Sequence, residues 1–215
     1  EALQCCVRPL IQEMSSSLRA RRCLNLKVSV QPSGFDVKEL FAKLAADYAI
    51  GEKLGRGCSS QVWQGTRRKD GLPVALKIVE GDGGAMADIA RAEHELLKEL
   101  NHENIIKTFD FLSLGNYSVI VLERFECMTL GEAVRKTSGK GFPEETAWRL
   151  FQQLVGALGH LHARGIVHRD LKIDNVLVSS DLNEIRLIDF NTSRAALGAL
   201  TPNAGTEEYF PPEVV

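Results

Sequence analysis

Apolar positions change their period several times along the chain. Over residues 36–48, DVKELFAKLAADY, Leu40, Phe41, Leu44 and Ala45 recur at helical spacing behind Asp36 as an N-cap. That pattern predicts a short amphipathic helix over about 36–47, packed on the neighbouring domain. From Tyr48 to Val79 the pattern becomes short β-branched and aromatic runs broken by Gly, which reads as consecutive antiparallel strands joined by tight turns. Helical periodicity returns in ADIARAEHELLKEL (87–100), gives way to a strand in SVIVLERF (118–125), and resumes in EETAWRLFQQLVGALGHLHARG (144–165). A small sheet unit followed by a mainly helical one is an α+β arrangement. A turn signal from Gln31 to Gly34 closes a Cys- and Arg-rich opening, so residues 1–47 read as an N-terminal extension without a motif and 48–215 as the principal domain.

Composition narrows the function classes. The 215 residues are 44% hydrophobic and 25% charged, enough for a substantial core. Twenty-six basic residues against 28 acidic ones leave a net charge of -2, so nothing points to nucleic acid or an anionic membrane surface as partner. No run is long enough for a membrane-spanning helix, and because the chain begins Glu-Ala, an upstream targeting peptide is compatible with it. Five cysteines without paired metal-ligand spacing suit reduced thiols in a cytoplasmic or nuclear setting.

Candidate chemistry begins at Leu54-Gly55-Arg56-Gly57-Cys58-Ser59-Ser60-Gln61-Val62, a small-residue loop between two strand-like runs where backbone amides can approach phosphate oxygens. A plain hairpin turn explains the same loop, whose third small position is Ser60 rather than Gly. The next strand, Val74-Ala75-Leu76-Lys77, alternates faces and aims Ala75 and Lys77 to one side, beneath that loop. On the following helix Glu93 or Glu95 could hold the Lys77 ammonium in place. The strongest signal is His168-Arg169-Asp170-Leu171-Lys172-Ile173-Asp174-Asn175, directly after the long helix and directly before the apolar strand Val176-Leu177-Val178.

With that octapeptide the chain resembles the eukaryotic-type protein kinase family, in its Ser/Thr branch. The resemblance implies a bilobal fold, with a small antiparallel N-lobe over about 48–122, a hinge at 123–125 and a mainly helical C-lobe from 126. It implies ATP and Mg2+ as cofactors and a protein Ser or Thr hydroxyl as acceptor. By the same matching, Asp170 orients the acceptor hydroxyl and takes its proton, Lys172 supports the transferred group, and Asn175 is a magnesium ligand. Lys77 with Glu93 grips the phosphates, and His168 is structural. In Ile188-Asp189-Phe190-Asn191, Asp189 is the second magnesium ligand, and Asn191 stands where the family has Gly; tolerance of left-handed backbone angles would preserve the turn. Leu54, Gly55, Gly57 and Ser60 would cover the nucleotide. Val62, Ala75 and Leu177 would sandwich the adenine, Leu122 would be the gatekeeper, and Glu123 to Phe125 the hinge. Gly205-Thr206-Glu207-Glu208-Tyr209-Phe210-Pro211-Pro212-Glu213 resembles the end of the activation segment, with Thr206 seating the substrate and Pro211 replacing the usual Ala.

The resemblance runs from Tyr48 to Val215, where family members continue with further helices, so the lower lobe reads as incomplete. Two function classes are compatible with these residues. One is an active Ser/Thr kinase. The alternative is a pseudokinase or nucleotide-binding scaffold without transfer, motivated by Ser60, Asn191, the missing helices and the polar Thr108 where the family packs an apolar residue. Two further expectations concern regulation and substrate. A phosphate on Thr201 would order the activation segment through Arg169, and Asp174 would favour basic residues upstream of the target. The sequence names no regulatory partner, and Cys58 reads as an ordinary thiol rather than a redox site.

Overall fold

A computed structural model of the chain describes residues 37–57, 59–81 and 84–195. Helix α1 (Val37–Leu44) precedes β1 (Tyr48–Arg56), β2 (Ser60–Arg67) and β3 (Pro73–Glu80), followed by α2 (Ala85–Glu99), β4 (Thr108–Leu114) and β5 (Tyr117–Glu123). The five strands form one antiparallel sheet in the order β1-β2-β3-β5-β4. Helix α1 is shorter than its apolar pattern predicts: it stops at Leu44, and the Asp47 amide bonds back to the Leu44 carbonyl at 3.1 Å to turn the chain into β1. Its predicted cap, Asp36, lies outside the described residues. Strand β5 also ends early, at Glu123 rather than Phe125.

Strand β3 is apolar at consecutive positions because both faces of the sheet are covered. On the outer face Val74, Leu76 and Ile78 pack with Val119, Val121 and Tyr48 under Leu40 and Leu44 of α1. These two leucines are 1% and 2% exposed, and full burial of such a side chain contributes about 1.5–3 kcal/mol. The inner face carries Ala75, Val79, Ile120 and Leu122, which pack with Ala90 and Leu97 of α2. That inner cluster continues without a break into the second half of the chain, as far as Leu150, Ala157 and Leu161.

The second half contains β6 (Cys127–Thr129), α3 (Leu130–Lys136), α4 (Glu144–His162) and β7 (Ile166–Val167). A single 3-10 turn (Ile173–Asn175) then leads into β8 (Val176–Ser179), β9 (Ile185–Leu187) and β10 (Arg194–Ala195). Helix α3 begins in a capping box, with Thr129 and Glu132 satisfying each other's backbone amides. Strands β6, β8 and β9 form a small antiparallel sheet, and β7 pairs with β10. The segment before β4 joins the two halves: Ile105 bridges Leu187, the Ile106 amide donates to the Leu187 carbonyl at 3.1 Å, and the Leu187 amide donates to the Asn104 carbonyl at 2.8 Å. Among the described residues no helix is long and apolar enough to cross a membrane. Two lobes, a five-stranded sheet with α1 and α2 on its opposite faces and a second unit built around α4, make a bilobal α+β fold.

Candidate active site

Lys77 sits at the centre of β3, in register with Val62 on one neighbour and Ile120 on the other, so its side chain leaves the sheet on the Ala75 face. Its Nζ donates to both Glu93 carboxylate oxygens at 2.7 Å and to Asp189 Oδ1 at 2.9 Å. Helix phase decides between the two candidate partners. Glu93 is 3% exposed and faces the sheet, whereas Glu95 faces solvent and pairs with Lys98 at 3.4 Å. Burial disfavours charge on Lys77, but the Glu93 and Asp189 carboxylates outweigh it and hold the ammonium above its ordinary range. Burial pushes the Glu93 carboxyl up, Asp189 adds to that, and Lys77 opposes it.

Below this cluster lies the segment 168–175. Asn175 spends both amide hydrogens on Asp170, donating to its carbonyl at 2.8 Å and to its Oδ2 at 2.9 Å. Lys172 Nζ donates to the same Oδ2 at 2.7 Å. The Asp170 carboxylate is thus held from two sides in one orientation. With its two N–H groups spent, the capacity that Asn175 has left is its carbonyl oxygen, a hard donor of the kind magnesium takes, and the Asp189 carboxylate is another. Two protein oxygens suit an ion that completes its shell with phosphate and water, so the residues fit a magnesium-bound nucleotide.

His168 is buried, and its Nε2 donates to the Ile188 carbonyl at 3.0 Å, one residue before Asp189. Its carbonyl accepts from Thr192 Oγ1 at 3.1 Å and from Ser193 Oγ at 3.2 Å, and its ring meets Phe190 edge-on at 4.8 Å. Burial pushes the His168 imidazole down, so it stays neutral, consistent with a structural role. Arg169 and Asp189 have φ of 69° and 66°. Such left-handed non-glycine backbone costs about 1–3 kcal/mol and persists only where surrounding contacts enforce it. Here the expectation for Asn191 needs correcting: the left-handed residue of the turn is Asp189, and Asn191 is not at positive φ. Glycine's freedom is therefore not required at position 191. The replacement leaves another mark, because the Asn191 Oδ1 is buried without a hydrogen-bond partner among the described residues.

The loop expected to cover a nucleotide is the β1–β2 hairpin, closed by the Gly57 amide donating to the Ser60 carbonyl at 2.9 Å, with Gly55 opposite Val62. Leu54 on β1 is half exposed. Ala75 and Leu122 face each other across β3 and β5 and share the inner cluster with Val62 and Phe125. Leu177 is only half buried on β8, paired with Thr129 and Arg186, and does not join that cluster. Near the hinge, Cys127 donates to the Phe125 carbonyl at 3.0 Å, and burial, with Glu132 nearby, pushes its thiol up to about 11. Cys58, Thr201, Thr206, Pro211 and Glu213 lie outside the described residues.

Two connections have no signal in the sequence. Arg186 Nε donates to Glu123 Oε1 at 2.9 Å, and its guanidinium lies 4.5 Å from the Phe125 ring, tying β9 to the hinge. His94 Nδ1 lies 2.9 Å from Thr108 Oγ1, which donates to the Val121 carbonyl at 3.3 Å. Thr108, expected as a misfit, is therefore a satisfied polar residue. Both connections depend on register between distant strands, which local periodicity does not carry.

An upper-lobe ammonium clasping a lower-lobe carboxylate, above a pinned aspartate, is the arrangement found in the class of phosphotransferases with this bilobal fold. Residues 48–215 match the family described as "Protein kinase domain", and the chain belongs to the protein kinase family. Among curated proteins it is 35% identical to a probable myosin light chain kinase of Dictyostelium discoideum over 81% of this chain and 46% of that protein. It is 34% identical to CBL-interacting protein kinase 19 of Oryza sativa subsp. japonica over 80% of this chain and 35% of that protein. With CBL-interacting serine/threonine-protein kinase 14 of Arabidopsis thaliana it shares 32% identity over 87% of this chain and 43% of that protein. The chain spans less than half the length of these relatives.

Proposed function

We propose that this chain carries the catalytic centre of a Ser/Thr protein kinase, which transfers the γ-phosphoryl group of ATP to a protein hydroxyl. The observation that carries the reading is the bond set of Lys77, which meets Glu93 at 2.7 Å and Asp189 at 2.9 Å and so draws both lobes onto one point. Lys77, held charged, would bind the phosphates, while Asn175 and Asp189 would hold magnesium; the bound ion would neutralise charge on the phosphates. Asp170 would accept the hydroxyl proton at its carboxylate, in the orientation that Asn175 and Lys172 enforce. Lys172, paired with Asp170 at 2.7 Å, would offer its ammonium to the phosphoryl group in passage. The Lys two residues after Asp170 and the name of one relative, CBL-interacting serine/threonine-protein kinase 14, favour Ser or Thr as acceptor.

Two finer expectations fare differently. Asp174, exposed on the 3-10 turn, would favour basic residues upstream of the target, an expectation that a peptide array without a basic bias would remove, whereas the residue proposed for regulation lies outside the described residues. Phosphorylation of Thr201 stays a proposal tested by Thr201→Ala. A second reading, a nucleotide-binding scaffold, draws on the Asn191 Oδ1, buried without a partner among the described residues, two positions after Asp189. Radiolabel transfer by the full-length product, wild type against Asp170→Asn, decides between them. The kinase reading expects transfer to collapse in the variant; equal transfer by both proteins, or magnesium-dependent nucleotide binding with none, would overturn it.

A further inference from the structure

Helix α2 is fastened on two sides. One fastening is the Glu93–Lys77 pair facing the cleft. The other begins at the adjacent residue, His94, which points about 100° further round the helix. His94 is 6% exposed, its Nδ1 lies 2.9 Å from Thr108 Oγ1, and the Thr108 hydroxyl donates its own proton to the Val121 carbonyl at 3.3 Å. With its proton committed there, the Thr108 oxygen is the acceptor and His94 Nδ1–H the donor. The bond stands at an irregularity in the ladder: Thr108 pairs with Leu122 and Asp110 with Val121, so Phe109 is the extra residue of a bulge. Bulges re-aim side chains, and this one turns the Thr108 hydroxyl toward the helix. The His94 ring also leans on Phe111 at 5.6 Å, and the Arg91 guanidinium covers that ring at 4.7 Å. An apolar contact at this place would permit the helix to slide or rotate by small amounts, whereas a hydrogen bond between a ring nitrogen and a strand-anchored hydroxyl has one good geometry.

We propose that the His94–Thr108–Val121 relay is a positioning device for Glu93, making His94 and Thr108 positioning residues of the kinase reaction; the proposal rests on the kinase reading above. It acts through Glu93 alone, by fixing the rotation of α2 against β4 so that the Glu93 carboxylate meets Lys77.

The test is a set of substitutions in the full-length protein, assayed for transfer to a peptide. Thr108→Val keeps the side-chain volume but leaves a buried His94 donor without an acceptor, and is expected to lower kcat roughly tenfold, while Thr108→Ser, which retains the hydroxyl, stays within about twofold. In a Glu93→Gln background the Thr108→Val loss is expected to vanish, because its effect passes through Glu93. An equal loss in both backgrounds, no loss in either, or a Thr108→Ser loss as large as that of Thr108→Val would overturn the proposal. Should the wild type transfer no phosphate, the kinase reading fails, and the relay is judged by amide exchange. Faster exchange over Ala85–Glu99 in Thr108→Val but not in Thr108→Ser, with β5 still protected, supports it; equal exchange in the two variants overturns it.

Discussion

Replacing Lys77 by Met would leave Glu93 nearly solvent-free with no other cation paired to it among the described residues, since the pair at 2.7 Å is the main contact that offsets its burial. Breaking a buried pair by removing one partner costs about 3–5 kcal/mol at neutral pH, because the remaining charge is desolvated without compensation. Glu93 can relieve that cost by taking up a proton. Its carboxyl is already pushed up by burial, with Asp189 pushing in the same direction; Lys77 is the main group that pulls it down, with a smaller pull from the Phe190 backbone amide. In Lys77→Met that pull is gone, so the folded-state pKa rises further above the unfolded value. A group whose folded pKa is raised lends stability that is present below the unfolded carboxyl pKa and is lost as pH rises through the folded one. The deficit of Lys77→Met relative to wild type therefore grows from pH 5 to pH 8, by about 1.4 kcal/mol for each unit that the Glu93 pKa has moved into that window. Urea unfolding of both proteins at pH 5.5 and pH 7.5 measures it, and the shared titration of other groups cancels in the difference. A deficit of the same size at both pH values would refute the reasoning, as it would mean that Glu93 finds solvent or another cation.

The same contacts set three further outcomes. Wild-type stability should fall as pH drops below about 6.5, because burial pushes the His168 and His94 imidazoles down and the unfolded chain then binds more protons; each contributes a slope of up to about 1.4 kcal/mol per pH unit, and thermal unfolding at pH 7.5 and 5.5 that gave equal midpoints would contradict it. Leu40→Ala, in a helix that precedes the family match, should cost about 2–4 kcal/mol in urea unfolding, since the side chain is 1% exposed against the back of β3, and a cost under about 0.5 kcal/mol would show that α1 is dispensable. Asn191→Ala removes a buried acceptor that has no partner among the described residues, at a position without positive φ, so it should leave stability unchanged or raise it by about 1 kcal/mol; a clear loss would mean that the amide is engaged.

Much of this site is legible in the amino-acid order, because the chemistry of phosphate transfer demands particular residue types in a particular succession, and short-range order survives in a linear text. Lys77 on an alternating strand, the run from His168 to Asn175, and Asp189 after an apolar run each carry their own local pattern. Helices α1, α2 and α4 and the strands around Lys77 are legible too, since burial imposes its period on consecutive residues; α1 and β5 end earlier than their patterns, and the short α3, β4, β6, β7, β9 and β10 carry too few periodic positions to be read. Phase and register stay open at that level. Whether Glu93 or Glu95 meets Lys77 depends on how α2 is rotated against the sheet, a choice made by the packing of Ala90 and Leu97 on the inner face. The meeting of Lys77 with Asp189, 112 positions apart, depends on how the two lobes close. Thr108 reads as a defect because a lone polar residue in an apolar strand is unfavourable until its partners are known, and those partners come from α2 and β5. Local sequence determined which groups exist and which face of each element they occupy, through side-chain period and backbone preference. Only the folded chain decided which of them touch, because contacts between distant segments are selected by the joint packing of a core that no single segment encodes.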